Sequence, residues 1–197
     1  MPVQAFPVTW TGLFTSDHLT GGYGSPGPFG SVVLTESGTA VDFVVTLNDG
    51  SKFVRTGAGD GMNFKFNSTG IADLTEITGT GLTADTGSFS GGGGGLFDYG
   101  VFFTGQKNGG GAGIAGPIRF SVANATISDF INATDLAHNG KNQLFVADVI
   151  SGIIIPGNTV GNTGLIDVSG QVPIPAAAWL LGTGIIGLVG IRRKFKK

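Results

Sequence analysis

Ala40-Val41-Asp42-Phe43-Val44-Val45-Thr46-Leu47-Asn48-Asp49-Gly50 is the stretch whose reading decides the fold. Val41, Phe43, Val45 and Leu47 are apolar at every second position, with Asp42, Val44, Thr46 and Asn48 between them. Successive side chains of a strand point to opposite faces, so a period of two marks a half-buried antiparallel strand. Asn48-Asp49-Gly50 then supplies residues that tolerate positive φ, and the expected outcome is a hairpin into the next apolar run.

The same period recurs on both sides. Met62, Phe64 and Phe66 alternate with Asn63, Lys65 and Asn67; Phe97, Tyr99, Val101 and Phe103 form another stripe; Ile118, Phe120 and Val122 form a fourth. Further strands are expected at 8–15, 31–36, 52–56, 71–77, 82–90 and 143–151, with Leu165, Asp167 and Ser169 in a last short strand or a linker. Ser128 to Ile131 has room for a single helical turn. About ten short strands separated by Gly, Asn, Asp and Pro predict an all-β fold, an antiparallel β-sandwich of jelly-roll-like type, over residues 1–170.

Composition supports a folded but loop-rich chain. Gly (37) and Pro (8) are abundant in the 197 residues, yet fifteen Phe provide enough apolar surface to offset the entropy of ordering. The runs Gly91–Gly95 and Gly105–Gly116 read as loops. Strand patterns follow them, whereas a phosphate cradle needs a glycine turn running into a helix.

Charge divides the chain in two. Before position 176 stand six basic and thirteen acidic residues, net −7, and five further cations lie beyond position 191. An acidic body excludes nucleic acid as a partner, because phosphate binding needs clustered Lys and Arg. With no cysteine there is no disulfide framework, thiolate metal site or thiol nucleophile.

The tail, 171–197, is of a different kind. Ile174 to Ile191 carries no charge, and Arg192, Arg193, Lys194, Lys196 and Lys197 follow at once. An 18-residue helix is about 27 Å long, near the lower limit for crossing a bilayer core. A core helix has no reason to end in five cations within six residues, so a single transmembrane helix is expected, with the basic cluster cytoplasmic and the body outside. Trp179 suits the interfacial belt at the outer end. Pro173 and Pro175 bias Val172 and Ile174 toward extended backbone, leaving a segment that a peptidase could bind as a strand.

Val172-Pro173-Ile174-Pro175-Ala176-Ala177-Ala178-Trp179, the apolar stretch and the Arg192-Arg193-Lys194 cluster together resemble the PEP-CTERM sorting signal of Gram-negative bacteria. All three parts occur in order at the C-terminus; the departure is Ile174, where the name-giving motif has Glu. The resemblance implies a substrate of an exosortase-type membrane peptidase. It also implies an inner-membrane-anchored precursor with a periplasmic domain, later displayed at the cell surface or secreted, in a setting rich in extracellular polysaccharide. Export requires an N-terminal signal, and Met1-Pro2-Val3-Gln4-Ala5-Phe6-Pro7-Val8 has neither a basic region nor an apolar run. The expectation is a signal that lies upstream or has been removed.

For chemistry in the body the materials are few. Ser16-Asp17-His18 contains the residue types of a catalytic triad, but neighbours in a strand point to opposite faces and cannot form the relay among themselves. Two histidines, His18 and His138, make no zinc pattern. Asp49, Asp60 and Asp148, with Asp167, lie near turns where free carbonyls could complete the oxygen shell of a calcium ion. Calcium is thus the one cofactor considered, and no catalytic residue is assigned. The leading expectation is a non-enzymatic exported envelope or matrix protein. A carbohydrate- or calcium-binding module and an exopolysaccharide-acting hydrolase with paired acids are the alternatives.

Overall fold

The computed structural model describes residues 7–92, 95–109, 112–133 and 142–169. The Pro-containing segment expected to act in sorting, the apolar stretch and the basic cluster of 171–197 lie outside them, as does His138. No helix among the described residues is long and apolar enough to cross a membrane.

Among the described residues, twelve strands and one α-helical turn follow in chain order. They are β1 (Thr9–Phe14), β2 (Ser16–Asp17), β3 (Gly30–Ser37), β4 (Ala40–Leu47), β5 (Lys52–Phe53), β6 (Phe64–Phe66), β7 (Ile77–Thr78), β8 (Leu82–Ser90), β9 (Leu96–Phe103), β10 (Ile118–Ala123), α1 (Ser128–Ile131), β11 (Gln143–Ile150) and β12 (Thr163–Ser169). They build two antiparallel sheets packed as a sandwich. One has the order β1-β3-β4-β10-β7; the other runs β2-β12-β11-β6-β9-β8, with β5 also pairing β11.

The alternation that marked β4 decides what lies between the sheets. Val41, Phe43 and Val45 point inward with Val32 and Leu34 of β3 and Ile118, Phe120 and Val122 of β10. Phe64, Phe66, Phe145, Ala147 and Ile166 answer from the other sheet. Phe43 sits at the centre, stacked on Phe120 at 4.4 Å and edge-on to Phe130 at 4.8 Å, with Phe66 at 5.5 Å and Phe145 at 6.1 Å. Phe130 is carried there by α1, the helical turn expected at Ser128 to Ile131.

Three expectations need correcting. Asn48-Asp49-Gly50 forms a tight turn, with Asp49 and Gly50 both at positive φ and the Ser51 amide donating to Asn48 at 3.0 Å. It is not a hairpin, because β4 belongs to one sheet and β5 pairs β11 in the other. The segment 71–77 is mostly not a strand. Asp73 accepts from the Thr75 amide while Glu76 accepts from the amides of Ala72 and Asp73, a capping box that winds Leu74–Glu76 into a 3-10 turn before the two-residue β7. Finally, β6 is not half-buried: Asn63, Lys65 and Asn67, on its polar side, are 0, 0 and 4 % exposed.

Candidate functional site: a covered polar face

The cover over β6 creates the most chemically unusual region of the described residues. Strand register places Asp85, Gly100, Lys65, Val146, Asp167 and Ser16 in one row across the second sheet, on the face turned away from the main core. Val146 of this row packs in a second apolar cluster with Met62, Phe89, Phe97 and Leu165, and Phe102 lies against it. Gly100 makes this cover fit, since a Cβ there would stand 2.5 Å from Cγ of Met62.

The cover includes the excursion 55–62 between β5 and β6. Val54 donates to Asp148 O and Asp148 donates to Asn63 O, so β11 pairs with both ends of the excursion. Asn63 closes its neck: Nδ2 donates to Val54 O at 2.7 Å and Oδ1 accepts from the Phe103 amide at 2.9 Å. Arg55 staples the excursion to the segment after β9, donating to Gly61 O and Gln106 O at 2.6 Å each, with its guanidinium 3.7 Å from the Phe102 ring centroid.

Lys65 and Asp148 are sealed beneath. They are diagonal neighbours on β6 and β11, since Val146 is the residue paired with Lys65. Lys65 Nζ donates to Ser90 O, and the Ser90 amide donates to Asp60 Oδ2. Asp148 accepts from the Thr56 amide at 2.6 Å and from Thr56 Oγ1 at 2.8 and 3.0 Å. Burial pushes the Lys65 ammonium down to about 8 against the opposing fields of Asp148 and Asp60. Burial likewise raises the Asp148 carboxyl to about 6, partly countered by the Thr56 bonds and the Lys65 charge. Desolvation therefore outweighs mutual attraction for both groups, as expected for charges that share a dry region without direct contact.

A second polar group continues the same face. His18 Nε2 lies 2.7 Å from Asp167 Oδ2, the one ion-pair geometry among the described residues, and Gln143 Nε2 donates to the same oxygen at 3.0 Å. Asp167 is 2 % exposed while the His18 side chain keeps 33 %. The histidine partner is thus 149 residues away rather than the adjacent Asp17, and no Ser or Thr hydroxyl bonds His18 among the described residues.

The calcium candidates are scattered. Asp49 lies on the sheet-crossing turn with Ser25 Oγ donating to it at 3.5 Å, Asp60 is tied to Ser90, and Asp148 is held by Thr56. No group of three or more His, Cys, Asp or Glu able to hold a metal ion forms among the described residues. Lys65 and the His18–Asp167 pair were not singled out from sequence. The first looked like an ordinary outward residue of an alternating strand, and the second depends on β2 pairing with β12.

No protein-family model, no curated protein and no solved structure matches this chain.

Proposed function

We propose that this chain is an exported envelope or extracellular-matrix protein. Its C-terminal sorting signal is read by an exosortase-type membrane peptidase, and its β domain has a non-enzymatic structural or interaction role associated with exopolysaccharide. One observation carries this: the Pro-containing motif at Val172–Trp179, the uncharged stretch to Ile191 and the Arg192–Lys197 cations stand in that order after an acidic body. The uncharged stretch is the membrane helix of a precursor whose body faces the periplasm before it reaches the surface or is released. The expected type of sandwich, jelly-roll-like, is supported by a chain that changes sheet at β1→β2, β2→β3, β4→β5, β6→β7, β7→β8, β9→β10 and β10→β11.

Intact-mass measurement tests the sorting role. In a host with an active exosortase, the mature protein should end upstream of the apolar stretch; in a deletion host it should retain the stretch and the Arg192–Lys197 cations. Retention of the Arg192–Lys197 cations in both hosts refutes processing.

A further inference from the structure

The outward face of the five-stranded sheet carries a row of polar side chains in register: Thr9, Thr35, Asp42, Ser121 and Thr78 on β1, β3, β4, β10 and β7. A groove of about 450 Å³ lies over the β3–β4–β10–β7 part of this row. That volume falls within the range of about 300–1,000 Å³ common for small-ligand sites. Gly79 forms one wall by close approach: a Cβ there would stand 2.9 Å from Arg119 O and 3.0 Å from Cβ of Phe120.

Arg119 also lines this groove, paired across the sheet with Val44 and diagonal to Asp42. Its guanidinium has no hydrogen bond or ion pair among the described residues. Asp42 does not neutralise it, because one carboxylate oxygen accepts from Ser121 Oγ and neither oxygen reaches Arg119. The groove therefore presents one forked cation, one carboxylate acceptor, several hydroxyls and the apolar Val44. A neutral sugar would leave the guanidinium unused. A phosphate dianion would meet the Asp42 carboxylate beside it and has no use for the hydroxyl row. A densely charged polyanion would be repelled by a body of net charge −7.

We infer that this groove binds a single hexuronate unit within an otherwise neutral polysaccharide, with Arg119 taking the carboxylate and Asp42, Thr35 and Thr78 taking ring hydroxyls. Val44 offers a surface for the C–H face of the sugar. This deepens the matrix role proposed above and rests on it for biological context, but binding is measurable on purified full-length chain in detergent, independently of export and processing.

Calorimetric titration with aldotetraouronic acid, a xylotriose bearing one glucuronate, against xylotetraose supplies the test. The acidic ligand should bind at least tenfold more tightly than the neutral one, and Arg119→Gln should weaken it at least tenfold with an unchanged melting temperature. Arg119→Lys should retain part of the affinity, because it keeps the charge and loses the fork. Equal binding of the two ligands, no binding of either, or an Arg119→Gln protein that binds like the parent would overturn the assignment. Processing seen by mass spectrometry without uronate binding would refute the groove alone.

Discussion

Lys65 and Asp148 are buried without touching, and their ionisation is therefore linked to folding with opposite signs. The Asp148 carboxyl rises from 3.8 in the unfolded chain to about 6 in the folded one, so between pH 4 and 6 the native state holds the extra proton. Stability contributed by this residue must fall as pH rises through that window. A shift of that size corresponds to about 3 kcal/mol. Lys65 falls from 10.5 to about 8, so between pH 8 and 10.5 the unfolded state binds the extra proton and stability rises with pH. Denaturant unfolding of parent and Asp148→Asn proteins at pH 4 and pH 7 checks this. The parent should lose stability relative to the variant on going to pH 7, and a constant difference would show that Asp148 ionises as it does in water. Phe43 lies at the same scale but with no charge to tune. Truncating it to Ala removes one ring from contact with five others and should cost about 3–5 kcal/mol in urea unfolding.

Among the elements, the excursion between β5 and β6 has the largest structural effect for the fewest residues. It covers a face that the alternation of Phe64, Lys65 and Phe66 reads as open to water. Asn63 is the hinge of this arrangement, using one amide to satisfy Val54 O and the Phe103 N–H. Asn63→Ala leaves both backbone groups buried and unpaired, each costing about 1–3 kcal/mol. The expected loss is about 2–4 kcal/mol in equilibrium unfolding, with early hydrogen-exchange deprotection at Thr56 and Phe103. A loss below 0.5 kcal/mol would mean that the neck is held by something else. Part of the element pattern was present in the sequence and went unread: Asp73 and Glu76 three residues later spell a capping box, and such a box ends a strand. The Asn48-Asp49-Gly50 turn was legible as a turn, but a turn says nothing about which sheet the chain enters next.

On the scale of the whole molecule, an acidic sandwich and a basic, apolar tail should behave as two phases of one chain. Full-length protein is expected to enter the detergent-rich phase in a detergent partition experiment, while a chain ending at residue 170 should stay in the aqueous phase. Full-length protein that remains wholly aqueous without detergent would refute the membrane role proposed for the tail. The division is one of chemistry: thirteen carboxylates precede position 176, and five of the eleven Lys and Arg follow position 191.

Sequence alone determined the class of the body, because period-two alternation in segments such as 41–47 and 118–122 is a local property that each strand carries by itself. It also determined the order of motif, apolar stretch and cations in the tail, which needs no folding to be seen. Tertiary structure alone decided that Lys65 is buried, that Asp148 is held by Thr56 and that His18 meets Asp167 across 149 residues. It also aligned five polar side chains from five strands beside Arg119. Each of these depends on which strands become neighbours and in what register, and that is set by how two sheets close over a shared core rather than by any one segment.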